Sequence, residues 1–285
     1  MRLPSPLSRR TATRTLALTA ACLLSACVNL KDVSTYSDAA ANVVGAKTAA
    51  ARWRDSEKVL VSTRLEGDTC PIGRTGRKPQ AEFDAAYAEI ANLHDALQAY
   101  FVALGDLASD EVPAVANQAR GSLSAIKDTG VQIDAKDEAA VTSLFSVLNR
   151  ALDAYRQRKL RNLMDETHGD VSQVLTLLSR LADVYIAEVN GERVQAVNFV
   201  RCSIGQTDLT DKFLGRRELD RTRRKYEQDI AVLTQYKAAL QKISQDHDAI
   251  RKALAYDKDA LKRSLKVTAA TAKELNKAAQ ALSNL

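Results

Sequence analysis

The stretch that decides the fold is residues 209–256, LTDKFLGRRELDRTRRKYEQDIAVLTQYKAALQKISQDHDAIRKALAY. Side chains suited to a helix interface recur in it every seven residues, and a second row runs between them. The first row is Tyr226, Leu233, Leu240, His247 and Leu254, and the second is Tyr236, Ile243 and Ile250. Rows three and four residues apart share one helix face and pack against a partner helix as in coiled coils. The stretch therefore predicts one helix of roughly 70 Å.

The rest of the chain is also helical in character. Gly (11 residues) and Pro (5 residues) are scarce, and such compositions favour long helices. Apolar spacing and chain breakers predict further helices at about 33–65, 80–107, up to Gly130, at 135–164, and from 170 onward. A break at His168-Gly169 separates the last two of these predicted helices. Asn190-Gly191 is a candidate kink or turn within the last one. We predict an all-α, elongated antiparallel bundle of long helices with coiled-coil-like packing over 33–256, followed by an alanine-rich C-terminal helix over 257–285.

The N-terminus has the layout of an export signal. Residues 1–14 carry four arginines and no acid, and a short apolar run from Leu16 to Leu24 follows. That run is too short for a membrane span, which requires about 20 residues. It ends in Leu24-Ser25-Ala26-Cys27, which resembles the lipobox of bacterial lipoproteins. The other interpretation is an ordinary cleaved signal that happens to end near a cysteine.

The lipobox resemblance implies an anchor and a compartment. Residues 1–26 would be removed as a signal peptide, and Cys27 would receive a diacylglycerol and an acyl chain such as palmitate. Residues 27–32 would then form a short tether, and several acyl chains together attach a protein stably to a membrane. Val28 stands where enteric lipoproteins retained in the inner membrane have Asp. The resemblance therefore implies an outer-membrane lipoprotein that faces the periplasm.

The positive charge of the chain lies in its leader. The sequence has 41 Lys and Arg against 35 Asp and Glu, and four of the arginines lie in residues 1–26, which contain no acid. The remaining chain has 37 bases and 35 acids. Because this balance is close to neutral, we expect no nucleic-acid partner.

Two cysteines remain once the leader is set aside. Cys22 leaves with the signal and Cys27 is the acylation site, which leaves Cys70 and Cys202. In an oxidising compartment such a pair persists as a disulfide, and two free thiols are the alternative. If successive helices alternate in direction, Cys70 and Cys202 reach the same end of the bundle. We therefore expect them to be joined, although a hairpin at Asn190-Gly191 would break this agreement.

The sequence contains no pattern typical of a catalytic or metal site. His94, His168 and His247 fall on different predicted helices or helix ends, without a second ligand at the spacing of zinc or di-iron centres. Asp165 and His168 are three apart but precede a predicted helix end, which favours a capping or surface role. His247 lies in the heptad seam and is predicted to be a polar core residue or a residue at the bundle edge, and not a ligand. We also find no nucleophile elbow or phosphate-binding glycine loop, and we expect no metal, no cofactor and no catalysis.

Two runs of bases form the best candidate for a binding surface. Alternating helix directions would bring the first loop close to the start of the helix at 209–256. The patch comprises Arg74, Arg77, Lys78, Arg216, Arg217, Arg221 and Arg224, with Arg223 and Lys225 beside them. It would attract peptidoglycan carboxylates, lipid phosphates or an acidic protein face. The other interpretation is pairing along the helix, Arg223 with Glu227 and Lys225 with Asp229.

These features predict a non-catalytic, membrane-anchored envelope lipoprotein that acts as a scaffold or interaction module. Its partner would be an envelope protein or peptidoglycan, and an exposed apolar stripe on helix 209–256 would also allow self-association. The alternative is a bundle that holds a small or lipidic ligand between its helices. Excess interior volume near Tyr36, Trp53, Tyr87 and Tyr155 would favour that alternative. An enzyme is the least favoured class.

Overall fold

A computed structural model describes residues 30–62, 69–71, 78–109, 123–150, 157–206, 209–256 and 258–285. Within these ranges the chain forms nine helices and no strand. The helices are α1 (Lys31–Val44), α2 (Thr48–Arg54), α3 (Ser56–Val61), α4 (Gln80–Ser109), α5 (Ser124–Asp128), α6 (Ala135–Arg150), α7 (Gln157–Gly205), α8 (Leu209–Tyr256) and α9 (Lys258–Leu282). The all-α bundle predicted from the sequence is confirmed.

Two long helices, α7 and α8, lie at the centre of the bundle. They contain 49 and 48 residues, so each is roughly 70 Å long. They run antiparallel, because Lys237 pairs with Asp183 (2.7 Å) while Arg251, further along α8, pairs with Asp165 (3.3 Å). The α8 bounds agree with the sequence prediction. The heptad seam explains these bounds, since Leu233, Leu240, Tyr236, Ile243 and Ile250 are completely buried, while Leu254 near the end of α8 is partly buried.

The predicted helix break at His168-Gly169 is wrong. Helix α7 continues through Gly169 and also through Asn190-Gly191. A glycine inside a helix costs only about 1 kcal/mol relative to alanine. The apolar face of α7 more than offsets this cost, because Val171, Leu178 and Tyr185 are each at most 1% exposed. The fourth helix predicted at 135–164 therefore corresponds to α6 and to the first turns of α7.

The single first helix predicted at 33–65 is also wrong, since the described part of this segment forms α1, α2 and α3. Contacts with α4 cause the first break. The Val44 carbonyl accepts a hydrogen bond from His94 Nδ1 (2.5 Å), and Lys47 forms a salt bridge with Asp95 (2.6 Å). A Cβ at Gly45 would lie 2.6 Å from the side-chain amide of Gln98, so the Gln98 side chain of α4 packs directly against this bend.

The short helix α5 ends as predicted. Gly130 comes directly after its C-cap residue, Thr129, and has φ +90°, a conformation that L side chains rarely adopt and that terminates helices. Glu89 of α4 holds α5 in place by accepting the backbone N–H of Ile126 (2.9 Å) and the hydroxyl of Ser124 (3.2 Å).

The C-terminal helix α9 belongs to the bundle core. Its row Thr268, Thr271, Leu275, Ala278 and Leu282 is buried, and α9 packs against α1 and α8. The sequence analysis placed this alanine-rich helix after a bundle that ended at residue 256. In the structure, small side chains instead allow α9 to approach its neighbours closely.

The Cys70–Cys202 disulfide marks one end of the bundle. Its Cα atoms are 5.9 Å apart, and the bond links positions separated by 132 residues. A small apolar cluster that includes Phe199, Val200 and Leu219 surrounds it. We call this end, where α7 finishes and α8 begins, the cysteine end. The predicted convergence of the two cysteines is thus observed.

The N-terminal helix starts at the opposite end. Tyr36 of α1 donates a hydrogen bond to the Ile243 carbonyl (2.8 Å), whereas Arg52 of α2 reaches Asp229 (3.2 Å). From Tyr36 to Arg52 the chain moves forward, while the contacted positions on α8 move back from 243 to 229. Helices α1–α3 therefore run antiparallel to α8 and end towards the cysteine end.

The apolar stripe predicted on α8 beyond its neighbours is not found as such. The seam is buried, and the large exposed apolar side chains described on α8 are Phe213 (65%) and Leu214 (58%) in its first turns. Among the described residues, no helix combines the length and the apolar character that a membrane span requires.

Candidate anion-binding groove

An open groove lies between α3 and the first third of α8, towards the cysteine end. Its volume is about 590 Å³. Helix α3 contributes Val59 and the adjoining Ser62 to it, and α8 contributes Glu218, Arg221, Thr222, Arg224, Lys225, Tyr226 and Gln228. We refer to this site as the basic groove, because three of these side chains are cationic and one is anionic.

The helical repeat of α8 explains which side chains line the groove. Thr222 and Tyr226 are four residues apart and point inward, with exposures of 7% and 2%. Arg221, Arg224 and Lys225 flank this inward row and are exposed. The groove therefore has a buried polar and aromatic floor and a cationic rim.

A buried ionic network lies beneath the floor, and the sequence analysis did not anticipate it. Arg52 donates two hydrogen bonds to Glu192 (3.1 and 2.7 Å) and one to Asp229 (3.2 Å). The exposed fractions of these side chains are 6%, 1% and 12%. The Arg52 guanidinium carbon also lies 5.9 Å from the centre of the Tyr226 ring. The network thus joins α2, α7 and α8 directly under the groove.

The electrostatics of this network favour a charged arginine. Burial by itself lowers the pKa of Arg52, but the hydrogen bonds and negative charges of Glu192 and Asp229 outweigh it, and the pKa is raised. A neighbouring hydrogen bond from the Ser56 hydroxyl to Glu188 (2.7 Å) adds to the same layer. Because such groups are costly to bury singly, we predict that the network sets how α2, α7 and α8 align.

The structure brings together only part of the basic patch predicted from the sequence. Arg221 and Arg224 line the groove, and Arg216 and Arg217 lie exposed in the preceding turns of α8. Lys78 lies just before α4 and pairs with Glu82 (3.5 Å). Arg74 and Arg77 lie outside the described residues.

The two pairs expected along α8, Arg223 with Glu227 and Lys225 with Asp229, are not observed, although Arg221 lies 3.9 Å from Glu218 on the same helix. Arg223 approaches Asp220 (3.9 Å), Asp229 accepts from Arg52, and Glu227 lies 4.0 Å from Arg193 of α7. Asp229 and Glu227, the acceptors expected for Lys225 and Arg223, therefore lie beside arginines of other helices. Within the described part of the chain, Arg224 and Lys225 form no ion pair, which leaves their charges available to an anion.

The histidine of the seam is a core residue, as predicted. His247 is 1% exposed, and its Nε2 lies 2.6 Å from the Tyr100 hydroxyl. Burial, with a smaller contribution from His168, lowers the pKa of His247 to about 3. His168 stacks on it with ring centres 5.7 Å apart and lies 3.4 Å from Asp248. His168 is thus a mid-helix residue between α7 and α8, and its predicted place beside a helix end is wrong.

His94 has a purely structural environment. It is completely buried, and its Nδ1–H donates to the Val44 carbonyl. Burial lowers the pKa of His94 to about 4. Across the described ranges, no three His, Cys, Asp or Glu side chains are grouped so that they could hold a metal ion.

The aromatic positions considered for an internal ligand are occupied by protein contacts. The Trp53 ring lies 5.1 Å from Phe83 and 5.7 Å from Tyr185. Tyr36 packs edge-on against Phe101 at 6.2 Å. The Arg54 guanidinium covers Tyr87, 4.3 Å from the ring centre, and Tyr155 lies outside the described residues. These contacts are typical of a packed core.

Comparison with known proteins leaves the site to be interpreted from its own geometry. The chain matches no protein-family model, and neither a curated protein nor a solved structure shows significant similarity to it.

Proposed function

We propose that this protein is a non-catalytic lipoprotein of the bacterial envelope that acts as a scaffold. Acyl chains on Cys27 would hold it to a membrane, and the basic groove would bind an anionic partner. The lipobox-like Leu24-Ser25-Ala26-Cys27 supports the anchor, and the exposed bases of α8 support the binding site.

The direction of α1–α3 is the observation that carries the proposal. Helix α1 begins at Lys31, four residues after Cys27, and its Tyr36 lies beside Ile243. The groove residue Arg221 is 22 residues earlier on α8, which corresponds to about 33 Å along the helix. An anchor at Cys27 would therefore leave the groove well away from the membrane, where a second envelope component could reach it.

The chemistry of the groove favours binding over catalysis. Its rim offers guanidinium and ammonium groups, which donate to carboxylates and phosphates. The hydroxyl of Thr222 and the ring of Tyr226 lie in the floor. The buried carboxylates of Glu192 and Asp229 beneath it are engaged by Arg52, so they do not face the groove as free acids.

The anchor can be tested by mass spectrometry of protein purified from native envelopes. We expect the first peptide to begin at Cys27 and to carry the mass of a diacylglycerol and an acyl chain. Cys27→Ser should abolish this modification and release the protein from membranes. Cys22→Ser is the matched control, because Cys22 would leave with the signal peptide. An unprocessed or unmodified N-terminus would contradict the proposal.

The partner can be found by crosslinking the intact protein in native envelopes. A photoreactive residue in place of Gln228, which lines the groove, should form a crosslink to an envelope component. The same residue in place of Lys273, exposed on α9, is the control and should not. Equal crosslinking from both positions would argue against the groove as the binding site.

A further inference from the structure

The first turns of α8 expose the two largest apolar side chains that the described surface presents to water. Phe213 is 65% exposed and Leu214 is 58% exposed. They lie at the cysteine end, just before the basic groove. Burying a side chain of this size is favourable, so an exposed adjacent pair is unusual unless another surface covers it.

Bases share the outward face of α8 with this apolar pair. Arg216 follows Phe213 by three residues and Arg217 follows Leu214 by three residues, and both arginines are exposed. Residues three apart are neighbours on a helix surface. Leu219, by contrast, is partly buried against the disulfide cluster. Phe213, Leu214, Arg216 and Arg217 thus form one outward surface, which we call the tip.

The charge around the tip is strongly positive. Residues 209–225 contain seven bases and three acids. Arg221, one turn further along the same face, has a side chain that is 81% exposed and lies 3.9 Å from Glu218. Among the described residues, Arg216 and Arg217 take part in no ion pair, so their charges are not neutralised by the protein.

This combination fits an anionic lipid surface better than the other anionic partners. Apolar side chains flanked by bases insert into the headgroup boundary while the bases bind lipid phosphates. Peptidoglycan offers carboxylates but no apolar layer for Phe213 and Leu214. A stable protein partner usually covers about 800 Å² on each side, which two apolar side chains on one helix face do not supply.

We propose that the tip docks onto a bilayer surface containing anionic phospholipid. One consequence rests on the proposed function. If Cys27 is anchored in one membrane, the tip at the cysteine end would contact a second membrane. The tip itself, however, needs no acyl chain to bind lipid. The two ideas can therefore be tested separately.

The test uses the mature chain with Cys27→Ser, which removes the acylation site, and vesicles of phosphatidylcholine alone or mixed equally with phosphatidylglycerol. We expect co-flotation with the mixed vesicles, little with phosphatidylcholine alone, and weakening as salt rises, because surface charge is screened. If this chain bound neither kind of vesicle while the wild-type protein was acylated normally, the lipid-docking proposal for the tip would be wrong. The proposal that Cys27 anchors the protein would still stand.

Two variants separate charge from insertion. Arg216→Gln with Arg217→Gln should weaken partitioning by about 25-fold, or about fivefold for each base. Phe213→Ala with Leu214→Ala should weaken it by about tenfold or more. The matched control is Arg263→Gln with Lys266→Gln, which removes the same charge from exposed positions near the start of α9. A control that loses as much binding as the tip variants would overturn the proposal.

Insertion depth gives an independent readout. The chain has a single tryptophan, Trp53, which is only 2% exposed and is therefore shielded by the protein. The fluorescence of Phe213→Trp should therefore be quenched by brominated phosphatidylglycerol, while that of wild type should not. Unquenched fluorescence from the Phe213→Trp variant would overturn the proposal. So would a concentration-dependent dimer that Phe213→Ala with Leu214→Ala abolishes, since a second copy would then cover the tip.

Discussion

Replacing Arg52 by alanine should destabilise the fold more than any exposed arginine substitution. The change removes three hydrogen bonds and takes the shared cation away from Glu192 and Asp229, whose side chains are only 1% and 12% exposed. Removing one partner from a buried ionic network costs about 3–5 kcal/mol, because the remaining charge stays buried without compensation. For a chain of this size the expected fall in Tm is about 6–20 °C.

Urea unfolding followed by circular dichroism measures this effect. Arg54→Ala is the matched control. Arg54 lies two residues away, but its side chain is 26% exposed, and its contacts are Asp55, Asp84 and the ring of Tyr87. Such partly solvated interactions are worth about 1 kcal/mol or less. The triple variant Arg52→Met, Glu192→Leu and Asp229→Leu should recover most of the lost stability, since apolar replacement of a whole buried network is often neutral.

Equal costs for Arg52→Ala and Arg54→Ala would refute the reasoning. Water would then reach the two carboxylates in the native protein, and the network would not be the element that aligns α2, α7 and α8. A triple variant no more stable than Arg52→Ala would likewise show that packing, and not unpaired charge, accounts for the loss.

Three further predictions concern stability. Cys202→Ser should lower the free energy of unfolding by about 4–5 kcal/mol on the chain-entropy estimate for a loop of this length. Amide hydrogen exchange should rise first at the start of α8. Unchanged exchange there would argue that the disulfide does not stabilise the start of α8. Burial holds the pKa of His247 near 3 and that of His94 near 4, so the unfolded chain binds more protons between about pH 6.5 and 4. Stability should therefore fall as pH drops through that range, and the urea midpoint of His247→Phe should depend less steeply on pH. Gly169→Ala should stabilise α7 by about 0.5–1 kcal/mol, because a Cβ there meets nothing within 4 Å and alanine favours helices. Gly130 has φ +90°, so Gly130→Ala should destabilise the protein by a similar amount. The melting temperatures of the two variants should therefore shift in opposite directions.

The site could be predicted from the sequence only in part. The run of bases in α8 stands out in the sequence, and the exposed Arg221 and Arg224 do line a groove. Arg52 gave no such signal, since it sits among alanines and its partners are 140 and 177 residues away along the chain. Two acids of α8 likewise have partners on neighbouring helices: Asp229 pairs with Arg52 and Glu227 faces Arg193.

By itself, the sequence determined the helical class, the bounds of α8, the end of α5 at Gly130 and the approach of Cys70 to Cys202. Each of these depends on local periodicity, on backbone conformation at one residue, or on counting helix directions. Only the tertiary structure decided where helices continue or break. Helix α7 passes through Gly169 because buried side chains on both sides outweigh the weak local preference of one glycine. Helix α1 stops at Val44 because His94 and Asp95 of α4 bind the chain there, and no local pattern records partners so far away in the sequence.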